Sequence, residues 1–322
     1  MNPNIDELIE KLINGDMPSL AKAITISESY LDSDRIITKH ILNKINQTNK
    51  QSLRLGISGT PGVGKSTFIE AIGLHLIKNN KKVAVLAVDP SSEISKGSIM
   101  GDKTRMENLS KQDNAFIRPS ASGGTLGGTT ARTREAILLC EAAGYDIVMI
   151  ETVGVGQSET AVKSMVDLFL VLLQPGGGDD LQGIKKGIIE LSDYLIINKA
   201  DGENKKLANI TKLDYQKAMK LLGRKNKILK CSSVNGDGIE EIWQEISDDY
   251  NTLVENELIN SNRKKQKIKW FYEELRNNLI IKFINHNKIK ALCQSAESSI
   301  LQNTVSISDA IENIVNNCEI KN

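Results

Sequence analysis

The chain has 322 residues, 40% of them hydrophobic and 25% charged, with a formal net charge of +1 at pH 7. That length suits two domains, or one α/β domain with extensions, and the near-zero charge argues against a chain built as a whole to sit on nucleic acid or an anionic membrane. Four cysteines, Cys140, Cys231, Cys293 and Cys318, form no C-x-x-C pair, which disfavours a disulfide framework or a zinc knuckle and favours thiols in a reducing cytosol.

The N-terminal stretch MNPNIDELIEKLINGD is acidic and lacks the basic-then-apolar order of a signal peptide. IDELIEKLI and MPSLAKAITISES carry apolar residues at helical spacing, so residues 1–50 are expected to form two or three helices as an N-terminal extension. From Arg54 the pattern changes. LRLGIS, KVAVLAVD, YDIVMIE, DLFLVLLQ, YLIINK and KILKCSS read as strands separated by helical stretches, which predicts a mostly parallel sheet flanked by helices over residues 51–250. The strands are apolar throughout, as expected of a sheet covered on both faces. The longest such run, LFLVLL (Leu168 to Leu173), is far too short for a membrane span, and a soluble, cytoplasmic protein is the expectation. After about Asn251 the strand-like runs stop. KIKWFYEELRNNLIIKFI and SISDAIENIV read as helices, and residues 251–322 form a helical arm expected to serve dimerisation.

The first strand runs into Gly59, Thr60, Pro61, Gly62, Val63, Gly64, Lys65 and Ser66, the pattern G-x-x-x-x-G-K-S, followed by Thr67 and a helical segment. Strand, glycine-rich loop and helix in that order make a P-loop. Glycines let backbone N–H groups turn inward around phosphates, the helix offers its positive end, the lysine reaches the β- and γ-phosphates and the serine hydroxyl ligates Mg²⁺. YLIINKADG ends a later strand in Asn198-Lys199-Ala200-Asp201, the N-K-x-D pattern that reads guanine. The Asp201 carboxylate suits the N1–H and 2-amino donors of guanine, which adenine lacks, so GTP and GDP are the expected ligands. Ser232, Ser233 and Val234, after the last strand, fit the loop whose backbone N–H groups face the guanine carbonyl.

On the phosphate side, Asp89, Asp102 and Glu151 end strands or sit in loops near the expected γ-phosphate. With Ser66 they are the candidate Mg²⁺ ligands, and with Lys65 and Gln157 the candidate catalytic residues. Glu151-Thr-Val-Gly154 stands where many GTPases have D-x-x-G, with Gly154 placed to sense the γ-phosphate through its N–H. Two glycine-rich stretches, Ser120 to Ala136 and Gln174 to Gly187, are candidate nucleotide-sensitive loops, and Arg132 and Arg134 in the first are candidate arginine fingers.

VDPSS, GDKTRM, GTLGGTTARTREA, ETVGVGQSETAV, DDLQGIKKGI and NKADG together resemble the MeaB/ArgK family of P-loop GTPases, from about Gly15 to about Leu275. The chain departs from the family pattern at Lys96, where glycine is usual, and at ELSDY. The resemblance implies the fold of signal-recognition-particle-like and metallochaperone GTPases, frequent homodimers, and a third switch loop containing Gly183, Lys185 and Lys186 that addresses a partner. It also implies slow GTP hydrolysis that gates cofactor delivery to an adenosylcobalamin-dependent mutase. A metallochaperone role is the rival reading, but His40, His75 and His286 stand alone and the cysteines are dispersed. A transport-system kinase is the other alternative. The basic run Arg263 to Lys269 has no interleaved aromatic platform for RNA and reads as a solvated helix face.

Overall fold

The computed structural model describes residues 3–48, 50–88, 106–119, 126–152, 158–176 and 186–317, apart from the side chains of 3, 126–129, 158 and 186. Its centre is a seven-stranded sheet, ordered β3-β2-β4-β1-β5-β6-β7, in which every pairing is parallel. The strands are β1 (Leu53–Gly59), β2 (Val83–Val88), β3 (Ala115–Arg118), β4 (Ile147–Thr152), β5 (Leu168–Leu173), β6 (Tyr194–Ile197) and β7 (Lys227–Lys230). Strands β1, β2, β4, β5 and β6 are buried along their whole length, as continuous apolar runs require when helices cover both faces.

Helices interleave with the strands: α4 (Lys65–Lys78), α5 (Glu107–Ser110), α6 (Leu126–Ala142), α7 (Ser158–Lys163), α8 (Lys186–Leu191), α9 (Asn204–Leu221) and α10 (Ile239–Glu255). The core on one side packs Phe68, Ile69, Ile72 and Leu76 of α4 and Ile239, Ile242 and Ile246 of α10 onto Leu55, Ile57, Leu170 and Ile196. Strand β1 lies between β4 and β5, so chain segments leave it in both directions, and the carboxyl end of such a strand is where an open α/β sheet forms a crevice.

Ahead of β1 come α1 (Pro3–Ile13), α2 (Met17–Glu28) and α3 (Asp32–Ile45). Asp16 starts α2 by accepting from the Ser19 N–H at 2.9 Å. The three helices pack on one another and on α6. Lys50 donates to the carbonyls of Ile13 (2.6 Å) and Ala142 (3.2 Å), neutralising the ends of α1 and α6 together.

At the amino end of the sheet lies a buried charge cluster. Arg54 donates to both carboxylate oxygens of Glu141, at 2.9 and 2.7 Å. Arg263 donates to Asp167 at 2.9 and 2.5 Å and to Glu141 at 3.3 Å. All four side chains are at most 8% exposed. Arg263 is therefore not part of the solvated basic face expected of Arg263 to Lys269; its guanidinium is sealed into the sheet domain, while Lys264, Lys265, Lys267 and Lys269 are exposed.

Three further expectations are corrected. Strand β3 is not among the expected strands, because AFIR is four residues long and follows the polar turn Asp113-Asn114. The stretch from Leu126 onward, expected as loop, is the start of α6, so Arg132 and Arg134 are helical residues. The Arg132 guanidinium sits 3.6 Å over the Tyr30 ring, and Arg134 is buried; neither extends as a finger. Lys186 opens α8 rather than closing a loop.

The chain divides into two compact units, Met1–Arg263 and Lys264–Asn322. The second contains most of α11 (Leu258–Ile284), with α12 (Asn287–Leu301) and α13 (Ile307–Asn316), which pack on each other. Ser306 caps α13, accepting from the Asp309 N–H at 3.1 Å. Ile268, Phe271, Tyr272, Leu275 and Leu279 of α11 and Ile307, Ile311 and Val315 of α13 are all exposed.

Candidate functional site

The P-loop turns off β1 through residues no side chain would tolerate. Gly59 has φ +152°, and a Cβ there would stand 2.7 Å from the Leu172 carbonyl of the neighbouring strand. Gly64, at φ +93°, caps α4, and a Cβ would stand 2.8 Å from Asn198 Nδ2. Both glycines are therefore required by conformation and by close approach. The Lys65 ammonium donates to the carbonyls of Gly59 (2.8 Å) and Thr60 (3.3 Å), lying across the loop it belongs to. Val63 is buried, Thr60, Lys65 and Ser66 are half-buried, and Pro61, Gly62 and Thr67 are exposed.

Asn198 stands at the end of β6, where the N-K-x-D pattern begins. It is 1% exposed, and its amide group faces two loops at once. Nδ2 donates to the Val63 carbonyl of the P-loop at 3.0 Å. Oδ1 accepts from the Ser233 N–H (3.2 Å) and the Ser233 hydroxyl (2.7 Å). The Cys231 thiol points to the same oxygen at 3.5 Å, and burial pushes that thiol up to about 12, so it stays protonated and available as a donor. Lys199 follows in the left-handed region (φ +55°), a conformation costly for a residue with a Cβ, and its ammonium donates to the Gly62 carbonyl at 2.7 Å. The Ala200 N–H donates to the Cys231 carbonyl at 2.9 Å. Three chain segments distant in sequence are thus tied by side-chain amide, ammonium and backbone bonds, with Asp201 half-buried beside them. Ser232 is buried in a turn closed by its N–H donating to the Asp237 carbonyl, and Val234 lies exposed at the tip.

On the phosphate side, the Ser66 hydroxyl donates to Glu151 Oε1 at 3.3 Å. Register explains the meeting: Glu151 pairs with Ile57 of β1, so the carboxylate emerges level with the start of α4. Behind it, the buried Thr152 hydroxyl donates to Ser58 Oγ at 2.8 Å. A hydroxyl and a carboxylate at hydrogen-bonding distance are hard oxygen donors, the set that suits Mg²⁺ rather than a soft metal. Asp89, Asp102, Gly154, Gln157, Gly183 and Lys185 lie outside the described residues, as does the side chain of Lys186. Among the described residues no group of three His, Cys, Asp or Glu side chains could hold a metal ion. His75 meets Asn79 and His40 meets Asp6, both at the surface.

The bonds around Asn198 are what inspection of the sequence misses. The N-K-x-D pattern points to a base contact through Asp201. The structural work of Asn198 and Lys199, which hold the P-loop from behind, is legible there only in principle, since both are the donors a loop rich in carbonyls would need.

Comparison with known proteins agrees with this geometry. The family model described as "Methylmalonyl Co-A mutase-associated GTPase MeaB" matches residues 20–288. The chain is 45% identical over 317 residues to a "Putative GTPase" of Caulobacter vibrioides, covering 97% of each chain. It is 42% identical over 317 residues to the "Methylmalonic aciduria type A homolog, mitochondrial" of Mus musculus, covering 94% of this chain and 76% of that one. Among solved structures, one described as "Crystal structure of LAO/AO transport system kinase" superposes with a TM-score of 0.77 at 35% identity, covering 98% of each chain.

Proposed function

The chain belongs to the methylmalonyl-CoA mutase-associated GTPase family MeaB, and on that premise we propose that it is the GTP-hydrolysing chaperone of an adenosylcobalamin-dependent acyl-CoA mutase, gating cofactor loading and protecting the mutase. Its activity is GTP hydrolysis. The observation that supports the reading is the coupling at Asn198, which ties the N-K-x-D segment, the Ser232–Val234 turn and the P-loop into one hydrogen-bonded unit.

In this reading Asp201 selects guanine, the Ser232–Val234 turn faces its carbonyl, and residues Gly59 to Thr67 cradle the phosphates. Lys65 exchanges its loop carbonyls for phosphate oxygens and stabilises charge on the transferring phosphoryl group. Ser66 and Glu151, with Asp89 and Asp102, would hold Mg²⁺, which when bound neutralises charge between the β- and γ-phosphates. Gly154 and Gln157 complete the γ-phosphate side, and Gly183, Lys185 and Lys186 report nucleotide state to the mutase. The exposed apolar residues of α11 and α13 favour a homodimer through the C-terminal helices. No helix among the described residues is long and apolar enough to cross a membrane, in keeping with a cytoplasmic role.

The test measures GTP hydrolysis with and without purified methylmalonyl-CoA mutase, for the wild type and for Lys185→Ala/Lys186→Ala. Stimulation in the wild type, lost in the variant with basal turnover intact, is expected. Absence of stimulation by this or any related cobalamin mutase refutes the chaperone role and leaves the GTPase. Transfer of the γ-phosphate to an acceptor other than water would instead favour a kinase activity, the one by which the solved relative is described.

A further inference from the structure

The sheet ends at β7, which pairs only with β6, and the region beside that edge carries an unbalanced charge. From Lys205 to Lys230 the chain has nine basic residues and one acid, Asp214, although the whole protein has a net charge of only +1. Two of the nine are neutralised. Arg224 lies 3.6 Å from Glu190, and Lys227 lies 2.6 and 2.8 Å from Glu245 and Asp249. Five lysines of α9, Lys205, Lys206, Lys212, Lys217 and Lys220, form no ion pair with any described residue, and nor does Lys230. With Asp214 as its one acid, α9 gathers a surplus of like charge that does not help the helix form, so the arrangement points to a reason other than folding.

The lysines are also shaped into a site. Lys205, Asn209 and Lys212 recur at i, i+4 and i+7 and line a cleft of about 500 Å³ beside β7. Lys230 also lines it and donates to Asn209 Oδ1 at 2.6 Å. Leu229 and Ile242 add apolar lining, Asp237 and Glu241 add two acids, and Ala200 and Ser232 join the cleft to the N-K-x-D and Ser232–Val234 segments. Outside the cleft, Ile210 and Leu213 are more than half exposed among the lysines of α9.

We propose that α9 and the cleft beside β7 dock an acidic segment of a partner protein. Side-chain carboxylates meet the α9 lysines, and aliphatic side chains cover Ile210 and Leu213. The chemistry disfavours a nucleic acid. The one aromatic residue of α9, Tyr215, is buried, so the helix offers no stacking platform for bases. Lysine as protection of an exposed strand edge accounts for Lys227 and Lys230, but not for the lysines on α9. The surface is separate from Gly183, Lys185 and Lys186 in the sequence, so the inference stands whether or not those residues address a mutase.

The experiment uses the full-length chain and a fluorescein-labelled 20-residue poly-L-glutamate as probe. Binding is followed by fluorescence anisotropy at low and high salt, and the contact is mapped by carbodiimide cross-linking and mass spectrometry. Binding that weakens with salt, cross-links on α9, and at least about tenfold loss in Lys205→Glu/Lys212→Glu/Lys220→Glu with GDP affinity retained are expected. No binding, unchanged binding by the triple variant, or cross-links confined elsewhere overturns the proposal. Tighter binding of a 20-nucleotide poly-uridine RNA to the same lysines also overturns it, in favour of a nucleic-acid surface. A second triple variant, Lys206→Ala/Lys217→Ala/Lys220→Ala, guards against misfolding from charge reversal and is expected to lose binding to a smaller degree.

Discussion

The base-reading side and the phosphate side of this one site are built differently. Around Asn198, four donors and acceptors from two loops converge on one buried amide, and Lys199 holds a left-handed conformation to reach the P-loop. On the phosphate side the described contacts are those a ligand must replace: Lys65 on its own loop carbonyls, and Ser66 on Glu151. On the proposed reading, guanine selectivity would rest on preorganised bonds, whereas phosphate and metal binding would proceed by exchange of partners. A preorganised half keeps its affinity cheaply, because little ordering remains to be done when the base arrives. An exchanging half responds to what is bound, which a nucleotide-gated protein needs.

The largest effect expected from breaking the exchanging half is at Lys65. Lys65→Ala removes the ammonium that stabilises the transferring phosphoryl group, and single-turnover GTP hydrolysis is expected to fall by about 10³-fold. Circular dichroism should be unchanged, since the substitution lies in a loop and at the first turn of α4 and leaves the sheet untouched. A variant retaining a tenth of wild-type turnover would contradict the role given to Lys65.

Next in size is base choice. The wild type should prefer GTP to ATP by at least about a hundredfold, because adenine leaves buried groups without partners. Asp201→Asn should weaken GTP and improve xanthosine triphosphate, whose N1 and 2-oxo pattern suits the amide. Equal ATP and GTP affinities in equilibrium titrations would remove Asp201 from its role.

Asn198→Ala tests the preorganisation itself. It leaves the Ser233 N–H and hydroxyl and the Val63 carbonyl without their partner, at about 1–3 kcal/mol, or about 5- to 150-fold. The expected outcome is weaker binding of GDP and of GTP alike, with the preference over ATP kept, since Asp201 is untouched. Loss of the preference instead of the affinity would mean that Asn198 reads the base directly.

Much of this was legible in the sequence, and the reasons it was legible are local. A parallel sheet buried on both faces announces itself as runs such as LFLVLL and VAVLAV, and the P-loop and N-K-x-D patterns carry their chemistry in adjacent residues. What escaped depends on long-range contact. Strand β3 is four residues long and is a strand only because Val83 and Val85 pair with Ala115 and Ile117. Arg263 looks like one charge in a basic run, and its burial follows from Asp167 and Glu141, which lie 96 and 122 residues away. The glycine-rich stretch Ser120 to Ala136 reads as loop by composition, yet α6 begins at Leu126, because Ala, Arg, Glu and Leu dominate from Ala131 onward and the helix packs on α2 and α3.

The smallest expected effect falls on Glu151, and it separates metal holding from folding. Its carboxylate emerges from β4 level with the first turn of α4, where the Ser66 hydroxyl donates to it at 3.3 Å. Glu151→Gln keeps the length and an oxygen acceptor for Ser66, so the fold and GDP affinity without metal should change little. It removes one negative charge from the oxygen set that suits Mg²⁺, and a neutral amide oxygen is a weaker ligand for a hard dication. The Mg²⁺ concentration for half-maximal hydrolysis should therefore rise by about tenfold, with turnover at saturating Mg²⁺ close to wild type. Glu151→Asp preserves the charge but retracts it by one methylene, and an intermediate requirement is expected if the contact runs through water. A flat Mg²⁺ dependence across the wild type and both variants would place the metal on acids other than Glu151 and reduce the Ser66 contact to a structural hydrogen bond.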